Sequence, residues 1–256
     1  MAPERNSIDL NADLGESFGA WRAGDDDAVL AVVTSANVAC GFHAGDPVVM
    51  RRTVAAAADR GVSIGAHPGY PDLMGFGRRE MAASPDEVTA YVMYQVGALH
   101  AFCTAAGVRL RYVKAHGALY NRAGRDPATA AALAEGVRLV DPTLALLALA
   151  GSEMVRAGQA SGLRVAAEAF VDRAYLPTGD LVPRSQPGAT LHDVDVVSAR
   201  AVRMAREGTV EAIDGTVIHV APDSLCVHGD NPDAAAIVRA VRDRLRAEGI
   251  AVAPFA

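Results

Sequence analysis

The sequence predicts an α/β chain closed into a seven-stranded parallel β/α barrel of TIM-barrel-like architecture, with an open doubly wound sheet as the alternative. Three observations carry that prediction. Short apolar segments recur along the chain, each is followed by a Gly- or His-rich turn, and amphipathic stretches lie between most of them. Parallel neighbours need crossovers of that kind, and seven such units in about 250 residues suit a barrel.

The first strand is expected in SIDLNADLG (7–15), where Asp9, Asn11 and Asp13 alternate with Ile8, Leu10, Ala12 and Leu14. The second, SANVACG (35–41), runs into a turn that sets His43 between two glycines. DPVVMRRTVAAAADRG then opens on Asp46 before Pro47, a helix-start pattern. In the third, VSIGAHPG (62–69), Ser63, Gly65 and His67 oppose Val62, Ile64 and Ala66, and the crossover SPDEVTAYVMYQVGALHAFCTAAG begins on Ser-Pro and stops on Gly. The fourth, RYVKAHG (111–117), sets Tyr112, Lys114 and His116 against Val113 and Ala115. LALLALAG (144–151) is the longest apolar run. LRVAAEAF (163–170) and its following turn place Glu168 and Asp172 opposite Val165, Ala167 and Val171. DSLCVHGD (223–230) sets Ser224, Cys226, His228 and Asp230 against Leu225 and Val227, ahead of the helical NPDAAAIVRAVRDRLRAEG. TVEAIDGTVIHVAPD (209–223) breaks the alternation and reads as an inserted β-hairpin. No linker, composition shift or fixed-period repeat divides the chain, so residues 1–256 are expected to form a single β/α-barrel domain.

At 51% hydrophobic residues the chain can bury a substantial core, and disorder is excluded. A net charge of −6 argues against binding to nucleic acid or anionic membranes, which relies on clustered Lys and Arg. The start MAPERNS carries no signal-peptide core and no apolar run is long enough to span a bilayer, so a cytoplasmic location is expected. Cys40, Cys103 and Cys226 stand singly without CxxC spacing and read as core thiols.

A wholly parallel sheet is normally apolar on both faces, yet several of these strands carry ionisable groups on one face. In a barrel that face looks toward the axis, and the charged groups converge at the C-terminal mouth. An unpaired buried charge costs several kcal/mol, so the ring implies mutual pairing, a ligand or a metal. Each residue alone has a structural reading: Asp46 fits a helix cap, Asp13 and Asp230 fit turns, and Asn11 can satisfy strand backbone. The coincidence favours a site, because His43, His67, His116 and His228 follow separate strands, each within two residues of Gly or Pro. His100, His192 and His219 lie outside the ring. Arg78, Arg79, Arg173 and Arg184 suit capture of a carboxylate or phosphate, with a surface ion pair expected for one of Arg78 and Arg79. P-loop, GxGxxG and HExxH patterns are missing, so the sequence places no ATP site of known type. A metal held by Asp13, His43 and His67 from three strands is compatible with the pattern.

The segments DLNADLGESFG, SANVACGFHAGDP, GAHPGYPDLMGFGRR, KAHGALYN, EAFVDRAY and CVHGD, in that order from about residue 8 to about 248, closely resemble the LamB/YcsF family. Ala115 replaces a proline usual in that family, and Ala169 and Val171 are conservative changes, all three on the outward face. The resemblance implies a barrel related to the glycoside hydrolase/deacetylase group. It also implies membership of an ATP-dependent 5-oxoprolinase, in which 5-oxo-L-proline, ATP and water give L-glutamate, ADP and phosphate with two partner subunits, B and C. A lactam is an amide whose resonance, seen in a rotation barrier of about 18–20 kcal/mol, must be broken. Phosphorylating its oxygen would activate it toward water. The roles implied are metal binding or water activation by Asp13, His43 and His67, and oxyanion or phosphate stabilisation by Lys114 and His116. Glu168 or Asp172 would serve as base. Substrate binding would fall to Asn11, Asp46, Arg78, Arg79, Arg173, His228 and Asp230. The rival readings are a stand-alone metal-dependent amidase or carbohydrate deacetylase, and a non-catalytic lactam-binding subunit.

Overall fold

The computed structural model describes residues 7–227 and 234–256. Six strands alternate with helices: β1 (Ser7–Leu14), β2 (Ser35–Ala39), β3 (Ser63–His67), β4 (Leu110–Val113), β5 (Ala145–Leu149) and β6 (Arg164–Phe170). An antiparallel hairpin, β7 (Thr209–Glu211) and β8 (Val217–His219), precedes β9 (Ser224–Val227), and β10 (Ala251–Val252) follows. Strands β1 to β6 pair in parallel in sequence order, β9 pairs with both β6 and β1, and the barrel closes with seven strands. β10 adds two pairs to the start of β1, Ser7 with Ala251 and Ile8 with Val252. The open doubly wound alternative is thereby excluded, and the hairpin lies where the break in alternation predicts it.

The crossovers are α1 (Asp26–Leu30), α2 (Pro47–Asp59), α3 (Pro85–Ala105), α4 (Gly117–Arg125), α5 (Pro127–Val140), α6 (Glu153–Ala160), α7 (Val194–Glu207) and α8 (Ala234–Ala247). Three start on a capping side chain followed by proline at the first position, where a missing N–H costs nothing. At α3 Ser84 and Glu87 form a reciprocal capping box. The helices cover the outward strand face, where Leu10, Ala12, Val38, Val113, Leu146 and Leu225 are fully buried. No helix among the described residues is long and apolar enough to cross a membrane.

The inward face is different. Barrel interiors are normally filled by branched apolar side chains, but here the axis holds Asp9, Asn11, Ser35, Asn37, Lys114, Glu168 and Ser224, all buried. An apolar patch fills one side of the interior: Tyr112, Ala145, Leu147 and Ala166 form a small cluster against Phe255, whose ring stands edge-on to Tyr112 at 5.0 Å. The Tyr112 ring lies over Gly65 of the neighbouring strand to reach Asn37 on β2 and dictates that glycine, because a Cβ there would collide with the ring. The β3–β4 register shifts at that residue.

Candidate active site

Strand register stacks the polar side chains in tiers. In the lowest, the Asp9 carboxylate accepts from the hydroxyls of Ser224, Thr34 (2.6 Å) and Ser35 (2.7 Å). Burial pushes Asp9 up from 3.8 to about 6, against the downward pull of those hydroxyls. An acid held above its unfolded value contributes stability that is fully present below about pH 4 and is lost as pH rises through 6. Asp9→Asn is therefore expected to flatten the decline of stability between pH 4 and 7, the wild-type deficit growing by on the order of 3 kcal/mol. Urea denaturation of both proteins at a series of pH values reads this directly, and parallel curves would refute it.

The middle tier is a network around Lys114. Its Nζ lies 3.0 Å from Glu168 Oε2, 3.4 Å from Asp13 Oδ1, 3.1 Å from Asn11 Oδ1 and 3.0 Å from Cys226 Sγ. Asn37 donates to Asn11 and Asp13 at 2.8 Å each and accepts from Tyr112 Oη at 2.7 Å. Asn11 also donates to Ser224 Oγ at 2.6 Å. Burial works against the lysine charge, but Asp13, Cys226 and Glu168 around it hold the ammonium well above its ordinary range. The ammonium stays charged at the bottom of the mouth.

The upper tier collects imidazoles. His67 Nδ1 lies 2.8 Å from the Lys114 carbonyl and His116 Nε2 lies 2.8 Å from the Phe76 carbonyl, and because carbonyls only accept, both nitrogens carry the proton. The remaining nitrogens, His67 Nε2 and His116 Nδ1, face each other at 3.0 Å. In neutral rings both present lone pairs, and only a cation or a shared proton between them removes the repulsion. His43 stacks on His116 with ring centroids 3.7 Å apart, and both of its ring nitrogens are buried without a hydrogen-bond partner. Glu16 Oε1 lies 3.7 Å from His43 Nε2 and 3.8 Å from His116 Nδ1. Burial first, then the neighbouring imidazoles, pushes His43 and His116 well below the ordinary histidine range, which keeps them neutral and able to coordinate. Gly77 permits this stack: at φ +64° its missing Cβ would sit 2.7 Å from His43 Cβ and 2.8 Å from His116 Cδ2.

Glu16, His43, His67 and His116 thus offer donor atoms within 4.8 Å of one another, a group that could hold a metal. A tetrahedral site with bonds of about 2.0–2.1 Å wants donors roughly 3.4 Å apart, close to the spacings found. One carboxylate and three imidazoles are a fitting set for a divalent transition metal, and the backbone carbonyls behind His67 and His116 fix their tautomers as outer-shell partners do.

A cavity of about 530 Å³ opens above these tiers. Asp13, His67, Lys114, His116 and Tyr120 form its inner wall, and Arg78, Arg125, Arg173 and Arg184 stand at its rim with Glu80 and Asp180. Arg173 donates to the carbonyls of Ala189 (3.1 Å) and Val182 (2.6 Å), bracing the loop that roofs the mouth. Burial and the adjacent Arg184 bring it down to about 10.

The structure sorts the residues expected from the sequence. Asp13, His43, His67, Lys114, His116 and Glu168 gather at one mouth, and Arg78 and Arg173 border it. Asp46 instead caps α2, accepting from Val48 and Val49 N–H at 2.8 and 2.9 Å and from Gly19 N–H at 2.8 Å, so its carboxylate is spent on backbone. Arg79 pairs with Asp72 at the surface and does not border the cavity. Asn11 is enclosed below Lys114, and Asp172 sits buried in the turn after β6, also away from the cavity wall. The expected ligand set changes too: Glu16 joins the three histidines, while Asp13 lies beside them, 3.3 Å from His67 Nε2. His228 and Asp230 lie outside the described residues. Glu16 and Tyr120 escape the sequence reading because strand parity does not reach the turn after β1 or the first turns of α4.

Comparison with known proteins matches residues 8–256 to the LamB/YcsF family. The chain is 54% identical over 250 residues to a 5-oxoprolinase A component of Agrobacterium fabrum, covering 98% of each protein. It is 56% identical over 249 residues to the 5-oxoprolinase A component of Paracidovorax citrulli, covering 97% of this chain and 99% of that one. Among solved structures, the lactam utilization protein of Thermus thermophilus superposes with a TM-score of 0.92 at 50% identity, covering 97% of this chain and all of the other.

Proposed function

Since the chain belongs to the LamB/YcsF family, we propose that it is one subunit of an ATP-dependent 5-oxoprolinase, opening 5-oxo-L-proline to L-glutamate together with subunits B and C. Full-length relatives above 50% identity bear the name of that enzyme's A component. The observation that carries the chemical reading is the convergence of Lys114, Asp13 and the histidines on the inner wall of one cavity.

The wall suits a small polar amide with a carboxylate. Arg78 and Arg173 at the rim would hold the substrate carboxylate. Lys114, kept charged by Asp13 and Glu168, would neutralise negative charge gathering on the lactam oxygen or on a phosphoryl group bound to it. Glu168 lies behind the lysine at 3.0 Å and would hold it in place, which leaves Asp13, on the cavity wall, as the carboxylate placed to accept a proton from water. A divalent metal on Glu16, His43, His67 and His116 would supply Lewis acidity or an acidified water. The roof braced by Arg173 would limit access of bulk water.

The deciding assay is glutamate release from 5-oxoproline by this chain alone and assembled with its B and C partners, with and without ATP. Release only in the assembled, ATP-supplied mixture is expected. Release by the chain alone without ATP would overturn the proposal in favour of a stand-alone amidase.

A further inference from the structure

Tyr120 is a polar group on the cavity wall that the roles above leave unused. It sits in the first turns of α4 with 4% of its surface exposed, its ring edge-on to Phe170 at 5.8 Å. Lys114 Nζ lies 5.0 Å from the centre of the same Phe170 ring, so the phenol and the ammonium share one patch of wall. The Tyr120 hydroxyl is buried and no well-formed hydrogen bond completes it, although the Glu168 carboxylate stands near enough to attract its proton. Leaving a buried donor unmade costs about 1–3 kcal/mol, and a group placed so against a cavity is completed by what enters it. Burial, and after it the charge of Glu168, holds the phenol well above its ordinary range, so it remains a proton donor.

We propose that the Tyr120 hydroxyl donates the hydrogen bond that holds the exocyclic oxygen of the bound lactam, beside the charge of Lys114. This rests on the reading of the chain as part of a lactam-opening enzyme. The complementary group must be an acceptor, because the neutral phenol has a proton to give. A carbonyl or phosphoryl oxygen fits, and the donor gains strength as negative charge develops there. Glu168 Oε1 is likewise buried without a well-formed bond and competes for that proton. Its other oxygen is already engaged by Lys114 at 3.0 Å.

Tyr120→Phe separates the two uses of the proton. The phenyl ring keeps the Phe170 packing, so in the complex assembled with B and C the expected result is a kcat for glutamate release lower by about 10–100-fold. KM should move less than about threefold, and the denaturation midpoint of the variant chain should hold or rise, because the change removes a buried donor without a well-formed bond. A kcat within twofold of wild type overturns the proposal. So does loss of stability with turnover intact, which would assign the hydroxyl to Glu168. A wild-type complex that releases no glutamate sinks the lactam-opening reading itself, and the proposal with it, whereas an active wild type with an unimpaired variant sinks the proposal alone.

Discussion

Lys114→Met should cost about 3–5 kcal/mol of stability, because it strips the counter-charge from the buried carboxylates of Glu168 and Asp13. Glu168 is fully buried and Asp13 nearly so, and the ammonium lies 3.0 and 3.4 Å from them. The same change is expected to lower glutamate release by the assembled complex by at least about 100-fold, since the cation is lost from the cavity wall. The double variant Lys114→Met/Glu168→Gln tells the two effects apart: removing the stranded charge should recover much of the stability and none of the turnover. Chemical denaturation and the glutamate assay on single and double variants check this. A double variant that regains turnover would mean that Lys114 serves only to neutralise Glu168.

The second large effect concerns the histidine cluster. If Glu16, His43, His67 and His116 hold a divalent ion, zinc should raise the thermal midpoint of the wild-type chain, and a chelator should reverse the gain. Glu16→Gln and His116→Ala are each expected to weaken zinc binding by more than the 10–100-fold typical of outer-shell changes, because each removes a direct donor. Calorimetric titration with zinc reads both variants without reference to activity. Equal affinity in wild type and His116→Ala would show that the ion binds elsewhere, and the facing lone pairs of His67 and His116 would then have to share a proton.

Much of this site was legible in the sequence because strand geometry forces it. Side chains alternate along a strand, so Asp9, Asn11 and Asp13 had to share a face, and Lys114 and His116 another; burying the opposite, apolar set against helices turned both inward. What parity could not supply was a residue past a glycine turn or on a helix. Glu16 follows Gly15, which at φ +70° turns the chain over the mouth, and a charged residue just past such a glycine was the available signal. Tyr120 lies on a helix, where a single aromatic in an apolar face reads as core. Asp46 illustrates the reverse error. An Asp before Pro satisfies a helix start by itself, and its carboxylate is consumed by three backbone N–H groups. Arg79 was separable from Arg78 only in three dimensions, where Asp72 claims one guanidinium and the cavity borders the other.

Every role proposed for this mouth requires the lactam to sit in it. A structure of the assembled enzyme with 5-oxoproline bound is predicted to show the ligand inside the cavity of about 530 Å³ at the C-terminal mouth of this barrel, its oxygen toward Lys114 and its carboxylate toward the rim arginines. A ligand seated entirely in a partner subunit, with this cavity holding only solvent, would contradict it.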